Sequence, residues 1–329
     1  MAFIKIGSPD PRFLAATDIL IGDMSDINYE FLLFNRPVIL LANDWLIRNF
    51  PDIGIKTDIN GLEDAIRQSI SNPKEFSEKR KYWLRRTIHR PGENSSSRVI
   101  DAILEHSLLK KPFIVILHGN SEVLKTHLEP LYMILKKRKI DCEYIDRYAE
   151  NILNGKVNYI FISAHNKLLN NIPFGYKVHI DHGVKGTGTT DLKELIIQYR
   201  KMNYCPNIDL HVTEGLVSFK KTKRILGPYS DRAILVGYPK SDVLLKLNGI
   251  KNKISVCKEF GFDSNKLLVT YAPAGKYSYP FKQGASLSNE VIKRLIDISF
   301  NNDNINILIK LKHPPLSFFK KVLNKLLKR

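Results

Sequence analysis

The feature that most constrains the fold is the alternation of short apolar runs with helical patterns along nearly the whole chain. The clearest apolar runs, read in order, are DILIG, PVILLA, FIVILHG, NYIFISA, LLVTYAPAG and INILIKLKHP. Short apolar runs that are separated by helices are typical of parallel strands covered by helices on both faces. The sequence therefore predicts an α/β protein built from parallel sheets.

Helical patterns fall between these runs. The expected helices cover about residues 61–86, 121–138 and 287–300, and the stretches SSSRVIDAILEHSLL and SFFKKVLNKLLKR. The last stretch is amphipathic and basic. It is interpreted either as a membrane-surface helix or, as is more common for this pattern, as a helix docked on a globular surface.

Length and composition fit a globular protein. The 329 residues, with 43% hydrophobic side chains, suggest two domains of ordinary size. The three cysteines, Cys142, Cys205 and Cys257, are far apart and lack metal-ligand spacing, which fits a reducing compartment. The sequence starts without a signal-like pattern, and charges interrupt its apolar stretches before they could span a bilayer. We therefore expect an intracellular, cytoplasmic protein that uses neither a metal ion nor a cofactor.

The net charge of +18 is unevenly distributed along the chain. Residues 1–111 contain 16 Lys and Arg against 15 Asp and Glu, whereas residues 112–329 contain 35 against 18. Such a positive field favours an anionic partner, whether nucleic acid, acidic lipid headgroups or a phosphate polymer, without choosing among them. An alternative of equal weight is that the basic surface is only solvated and binds no anionic partner.

The residues that directly follow the predicted strands are candidates for a ligand site, because open parallel sheets bind ligands beyond the carboxyl ends of their strands. Four strand ends carry small, polar or basic residues that suit a phosphate. They are Asp23-Met24-Ser25-Asp26 after DILIG, His182-Gly183 after KVHID, Pro273-Ala274-Gly275-Lys276 after LLVTYA, and His313-Pro314 after INILIKLK.

Two histidines occupy such positions. His182 precedes Gly183 and Lys185, and a neutral imidazole there could accept a proton from an attacking hydroxyl. His313 precedes two prolines that fix the chain direction, and in its charged form it would donate a strong hydrogen bond to a phosphate oxygen. For each of them, an ordinary loop histidine is the alternative. The remaining histidines of this kind lack a comparable glycine or proline turn and are interpreted as structural. They are His118, His165, His179 and His211.

The stretch GDMSDINYEF predicts one half of a nucleotide site. Ser25 and the backbone amides at the start of the helix would hold an anion. Asp26 suits a phosphate poorly and is expected to cap the helix of this nucleotide-binding turn. Glu30 follows about one helical turn later, where its carboxylate could accept hydrogen bonds from both ribose hydroxyls. The alternative for Glu30 is a solvated helix face.

Six ordered motifs stand out: HIDHGVKGTG, VGYPKSDVLL, VTYAPAGK, IKLKHP, TDILIGDMSDINYEFLLFNRPVILL and RPGENSSSRVIDAIL. Together they resemble the CDP-glycerol glycerophosphotransferase family, whose members prime and extend teichoic acids and related capsule polymers. They span nearly the whole chain. The resemblance implies the GT-B fold, in which two Rossmann-like domains face each other across a cleft.

The motifs stand in rotated order, since the last two in the family come first here. Either the chain is a circular permutant, or it joins the tail of one module to the front of another and completes its site by exchange in a homodimer. The resemblance divides the chain into residues 1–90 and 231–329 as two parts of the nucleotide-donor domain, residues 91–111 as a crossover helix and linker, and residues 112–230 as the acceptor-side domain.

The resemblance implies a transferase that moves a polyol phosphate from a CDP-linked donor to an anionic, polymeric or lipid-linked acceptor at the cytoplasmic membrane face, without nucleic acid. His182 would be the base. His313, Ser25, Gly183, Lys185 and Lys276 would hold phosphates, the two lysines on charge alone. Glu30 and Asp26 would lie on the ribose and nucleotide side. The alternatives are a GT-B glycosyltransferase that uses a nucleotide sugar and a degenerate module that binds anionic polymer or membrane without turnover.

Overall fold

The structure is a computed structural model. It describes residues 2–6, 10–23, 25–41, 50–92, 94–147, 158–181, 207–273 and 284–311. The chain forms two compact units, one from Met1–Lys81 with Leu247–Arg329, and the other from Tyr82–Lys246. The first unit is therefore assembled from both ends of the sequence.

The elements follow the predicted alternation. The described strands are β1 (Ala2–Ile6), β2 (Ile19–Gly22), β3 (Val38–Leu41), β4 (Ile55–Thr57), β5 (Phe113–Leu117), β6 (Cys142–Ile145), β7 (Tyr159–Ser163), β8 (Tyr176–Ile180), β9 (Leu210–Thr213), β10 (Ala233–Leu235), β11 (Leu267–Tyr271) and β12 (Ile305–Leu311). The described helices are α1 (Pro11–Ala16), α2 (Ile27–Phe31), α3 (Leu62–Ser71), α4 (Ser77–Thr87), α5 (Ser95–Ser107), α6 (Glu122–Lys137), α7 (Asn166–Asn170), α8 (Leu216–Leu226), α9 (Pro239–Lys246), α10 (Gly249–Phe260) and α11 (Gly284–Asn301).

The first sheet has the strand order β1-β12-β11-β2-β3-β4, and all of its pairs are parallel. Ala2 of β1 lies opposite Ile307 of β12, and Ile19 of β2 lies opposite Val269 of β11. If the strands are counted from β11 through the chain ends to β4, the order reads 3-2-1-4-5-6. This is the order of the Rossmann fold, and it is the arrangement that joining the rotated motifs predicts.

The second sheet comes from one uninterrupted part of the chain. Its order is β10-β9-β8-β7-β5-β6, again with every pair parallel. Counted from β5, the order begins 2-1-3-4-5, as in flavodoxin-like sheets. The predicted α/β class with two Rossmann-like parallel sheets is thus confirmed.

Continuous apolar runs become buried strands because helices cover them on both sides. Every residue of β5 and β7 is buried. Residues of α5 and α6 pack on this second sheet, among them Val99, Ile103, Leu128 and Leu131. A fully buried aliphatic side chain stabilises a fold by about 1.5–3 kcal/mol relative to an exposed one, so this packing is what holds the sheet in place.

Two details of the sequence interpretation are corrected. The single helix expected over 61–86 is two helices, α3 and α4, because proline disfavours helical backbone at the residue before it and Asn72 precedes Pro73. The boundary at residue 230 would place β10 and α9 with the first sheet, whereas β10 pairs with β9 and the second unit runs to Lys246. The assignment of the units to donor and acceptor stays a prediction.

Candidate functional site

The strand order marks one place in each sheet where a ligand is expected. Order reverses between β11 and β2 in the first sheet, and between β5 and β7 in the second. In open α/β sheets the ligand binds beyond the carboxyl ends of the strands at such a reversal. We call the carboxyl ends of the strands at these two reversals the first edge and the second edge; the strands concerned are interior strands of their sheets.

At the first edge, the end of β11 meets the end of β2. The Ala272 amide donates to the Ile21 carbonyl at 2.9 Å, which continues the pairing beyond the ladder. Burial raises the pKa of the Tyr271 hydroxyl, and the nearby Asp23 carboxylate raises it further. Tyr271 is therefore a neutral phenol beside an acidic side chain at neutral pH.

Side chains fix the turn that leads from β2 into α2. The Ser25 amide donates to Asp23 Oδ1 at 3.1 Å, and Asn28 Nδ2 donates to the Asp23 carbonyl at 2.6 Å. A Cβ atom on Gly22 would lie 2.0 Å from Asn28 Oδ1, so only glycine leaves room for the fully buried Asn28. These contacts of Gly22, Asp23, Ser25 and Asn28 are made within the protein and need no ligand.

The structure allows three site predictions to be compared with this turn. Ser25 is half-buried, and its Oγ accepts a hydrogen bond from the Ile27 amide at 3.5 Å; its role toward phosphate stays a prediction. Asp26 occupies the N-cap position of α2, but its side chain makes no capping hydrogen bond. The expected Asp26 cap is wrong: Asp26 already has helical backbone, with φ of −57° and ψ of −22°, whereas a capping residue is normally extended. Glu30 is 5% exposed, so the alternative of a solvated helix face is wrong.

Five predicted site residues lie outside the described residues. They are His182, Gly183, Lys185, Lys276 and His313. The strands that precede them, β8, β11 and β12, are described, and β8 and β11 end within one residue of the predicted position. Their assignment to base and phosphate contacts stays a prediction.

At the second edge, β5 ends in a turn built around His118. Gly119 and Asn120 both adopt left-handed backbone, with φ of 61° and 50°. The His118 and Gly119 amides donate to the carbonyls of Ile145 and Asp146, each at 3.0 Å. The interpretation of His118 as a histidine without a glycine turn is therefore wrong.

His118 follows a strand end, yet its side chain is buried. It is 8% exposed, its ring lies 4.7 Å from that of Tyr144, and its Nδ1 has no hydrogen-bond partner among the described residues. Burial lowers its pKa, and the charge of Lys125 lowers it further, against the opposite effect of Asp146 and Glu122. The imidazole is consequently neutral at pH 7, so one ring nitrogen can donate a hydrogen bond and the other can accept one.

Farther along the second sheet, buried polar side chains line β8 and β9. His179 and His211 lie opposite each other with ring centroids 5.5 Å apart, and both are buried. Burial lowers the pKa of His211 to about 4. Asp181 and Glu214 follow the two strands, and the Ser218 hydroxyl donates to the Glu214 carboxylate. His182 directly follows Asp181, so this polar layer ends where the base is predicted.

Two motif segments that are far apart in sequence meet within the second unit. The Asp242 carboxylate accepts hydrogen bonds from the amides of Ser95 at 2.9 Å and Ser96 at 2.7 Å, which caps α5. The Arg98 guanidinium donates to the carbonyls of His89 at 3.1 Å and Val236 at 3.0 Å. The serines and the arginine of RPGENSSSRVIDAIL thus bind VGYPKSDVLL and serve to position the chain.

Neither a membrane span nor a metal cluster stands out in the part of the chain that the structure describes. None of its helices combines the length and hydropathy that crossing a bilayer requires. No three of its His, Cys, Asp and Glu side chains are grouped as a metal ion would need.

Fold and edges together define an α/β protein of two Rossmann-like parallel sheets, the architecture that GT-B transferases share. Residues 10–105 match the family described as CDP-glycerol:poly(glycerophosphate) glycerophosphotransferase, which is a family of transferases. The match contains the β2–α2 turn and the start of α5, and over these residues the predicted family resemblance is confirmed. The four other motifs lie outside the match. No curated protein and no solved structure matches the chain.

The structure adds site residues that the sequence interpretation missed. Asn28 and Tyr271 lie at the first edge beside Asp23, which the sequence did indicate, and His118 with Asp146 lies at the second. The signal for His118 was present as the adjacent Gly119 after a buried run. For Asn28 there was no local signal, because its importance depends on the absent side chain of Gly22.

Proposed function

We propose that the protein is a glycerophosphotransferase-like enzyme that transfers a polyol phosphate from a CDP-linked donor to a hydroxyl of a polymeric or lipid-linked acceptor. The observation that carries this proposal is the match of residues 10–105, because the matched segment contains the β2–α2 turn at the first edge. That edge is where a sheet with Rossmann order receives a nucleotide.

The reaction follows from the donor's chemistry. The acceptor oxygen forms a bond to the distal phosphorus of the donor, the bond from that phosphorus to the bridging oxygen breaks, and CMP leaves. His182 accepts the proton of the attacking hydroxyl. The remaining catalysis consists of positioning and of neutralising phosphate charge, as in other phosphoryl transfers.

The residues divide these tasks between them. Ser25 and His313 hold phosphate oxygens, with charge support from Lys276, Lys185 and the Gly183 amide. Glu30 accepts hydrogen bonds from the ribose; it lies buried on α2, about one helical turn beyond Ser25. Asp26 contributes to the nucleotide side without capping α2.

The acceptor and the location complete the proposal. The positive surplus of residues 112–329 suits an anionic polymer of the teichoic acid or capsule type. Synthesis would take place in the cytoplasm, with the enzyme bound peripherally to the inner membrane face.

The first test is calorimetric titration of the purified chain with CDP-glycerol, with UDP-sugars as the comparison and the mass in solution measured on the same sample. We expect CDP-glycerol to bind at one per chain and UDP-sugars to bind more weakly. Binding of UDP-sugars alone would move the protein to the nucleotide-sugar glycosyltransferases. A lack of binding to any cytidine nucleotide would refute the proposal.

The second test assigns the base. His182→Ala is expected to abolish CMP release in the presence of acceptor while the dissociation constant of CDP-glycerol stays unchanged. His106→Ala, which changes an exposed histidine of α5 in the second unit, is the matched control and should retain activity. Substantial turnover by His182→Ala would remove His182 from the mechanism.

A further inference from the structure

We propose that His118, Asp146 and Asn166 form a subsite at the second edge that binds the hydroxyl groups of the acceptor polyol. The inference rests on the proposed function for the identity of the acceptor. Its own basis is the hydrogen-bonding capacity that these three side chains leave unused among the described residues of the second unit.

The three residues follow three neighbouring strands. Leu117 of β5 lies opposite Ile145 of β6 and Ser163 of β7. His118 and Asp146 are the next residues after the first pair, and Asn166 begins α7 three residues after Ser163. The Gly119 turn reaches α7, because a Cβ atom on Gly119 would lie 3.0 Å from Leu168 Cδ1. The sheet therefore gathers the three at one edge.

Each residue presents a buried polar atom that has no protein partner among the described residues. These atoms are His118 Nδ1, Asp146 Oδ1 and Asn166 Oδ1. Buried polar atoms are nearly always hydrogen-bonded, since an unpaired one is costly. Three such atoms at one strand edge are explained most directly by a ligand that completes their bonds.

The chemistry of the three atoms selects the ligand. A carboxylate oxygen and an amide oxygen only accept hydrogen bonds, so the ligand must donate, which a phosphate dianion does not do. An ammonium group would donate, but the positive surplus of residues 112–329 disfavours a cation. A hydroxyl donates to the two oxygens and can either donate to or accept from the imidazole. A polyol carries several hydroxyls on adjacent carbons and fits this set.

The test compares His118→Leu with the unchanged chain. A short glycerol phosphate oligomer is the probe, its binding is followed by saturation-transfer NMR without donor, and its KM is measured with saturating CDP-glycerol. Loss of a buried hydrogen bond to the ligand should raise the oligomer's dissociation constant and KM about tenfold. CDP-glycerol binding should not change.

Thermal unfolding separates this role from a structural one. Because leucine replaces an unpaired buried nitrogen, His118→Leu should unfold at the same or a higher temperature. His118→Asn, whose amide can take the place of Nδ1, should recover part of the oligomer affinity. His106→Leu makes the same change on the exposed face of α5 and should alter neither constant.

Each remaining outcome has a defined meaning. Unchanged oligomer binding by His118→Leu would overturn the subsite. A marked fall in unfolding temperature together with weaker CDP-glycerol binding would make His118 structural and also overturn it. If His118→Leu does not fold, Asp146→Asn keeps the volume and should weaken oligomer binding about threefold. Failure of CDP-glycerol to bind would refute the proposed function alone, because the NMR assay needs no donor.

Discussion

The two edges treat their polar side chains differently. At the first edge Asp23, Ser25 and Asn28 are hydrogen-bonded to one another within the β2–α2 turn, and of these three only Asn28 has a buried atom, its Oδ1, without a partner among the described residues. At the second edge His118, Asp146 and Asn166 each have such an atom. Two parallel sheets can therefore differ at equivalent positions: at the first edge the side chains hydrogen-bond within the turn, and at the second they leave hydrogen-bonding atoms without protein partners among the described residues. The first suits a constant nucleotide, and the second suits hydroxyls that a ligand brings.

The strands of the second sheet bury histidine side chains, and we expect this burial to make the second unit less stable in acid. His211 is 1% exposed on β9, and burial lowers its pKa to about 4. A histidine that is neutral in the folded state and protonates more easily when unfolded stabilises the fold fully above about pH 6.5, and this stabilisation is lost as the pH falls toward 4. The loss for His211 amounts to about 3 kcal/mol.

We therefore expect acid to loosen the second unit before the first. Hydrogen exchange between about pH 7 and about pH 4.5, read peptide by peptide, should show protection falling first in β8 and β9. Ion pairs lower the pKa of Asp52 and Glu63 in the first unit, but both are partly solvated and contribute less. His211→Gln should flatten the pH dependence of the second unit. Equal loosening of both units would show that the contrast in buried histidines has no consequence for stability.

The glycines of the two edges give the next contrast. Gly22→Ala is expected to lower the free energy of unfolding by about 2 kcal/mol, because the new Cβ would overlap Asn28 Oδ1 in a packed site. Urea unfolding measures the change. The same edge should bind CDP-glycerol less tightly, since the β2–α2 turn would shift.

A double-mutant cycle identifies the cause. In an Asn28→Ala background the overlap is gone, so adding Gly22→Ala should cost much less than it does alone. If the cost is the same in both backgrounds, the clash with Asn28 is not its origin.

Much of this architecture could be predicted from the sequence, and the reasons are local. The strand β5 is a continuous apolar run and β7 nearly so, which is typical of a parallel sheet covered on both faces. The rotated motif order predicted that β1 and β12 belong to one sheet, and the parallel pairing of Ala2 with Ile307 confirms this.

The rest depends on contacts between distant residues. Nothing near Asp242 in sequence indicates that it caps α5, about 147 positions away from Ser95. The short strand β10 pairs with β9 although its motif was assigned to the other domain, because three residues carry too little pattern to choose a sheet. For His118 the adjacent Gly119 was a local signal, but the burial of its ring and the lack of a partner for Nδ1 among the described residues depend on packing.

Backbone conformation distinguishes the second glycine from the first. Gly119 has a φ of 61°, so Gly119→Ala should cost about 1 kcal/mol through left-handed backbone. Gly261→Ala is the matched control, because Gly261 has a φ of 68° and no atom within 4 Å of an added Cβ. Urea unfolding of both variants should give similar losses, with a small excess for Gly119 from its contact with Leu168. A loss at Gly119 far above that at Gly261 would mean that the turn is as tightly packed as the one at Gly22.

The smallest effect is expected from reordering the chain. A variant that begins between α9 and α10 and joins the present ends through a flexible linker would make both sheets continuous in sequence. The added linker can be short, because residues 312–329 already provide more than the roughly dozen residues that a parallel crossover from β12 to β1 requires. Because the opening falls between the two compact units, the free energy of unfolding should change by less than about 1 kcal/mol.

Circular dichroism, urea unfolding and CDP-glycerol titration of this variant measure whether sheet order alone defines the first unit. Retained stability and binding at one per chain would show that the position of the chain ends is irrelevant to the Rossmann order of the first sheet. Selective loss of exchange protection in β1, β11 and β12, with the second unit intact, would contradict that view. In that case the pairing of Ala2 with Ile307 would depend on the present order of the chain. The two sheets would then differ in how they form as well as in what they bind.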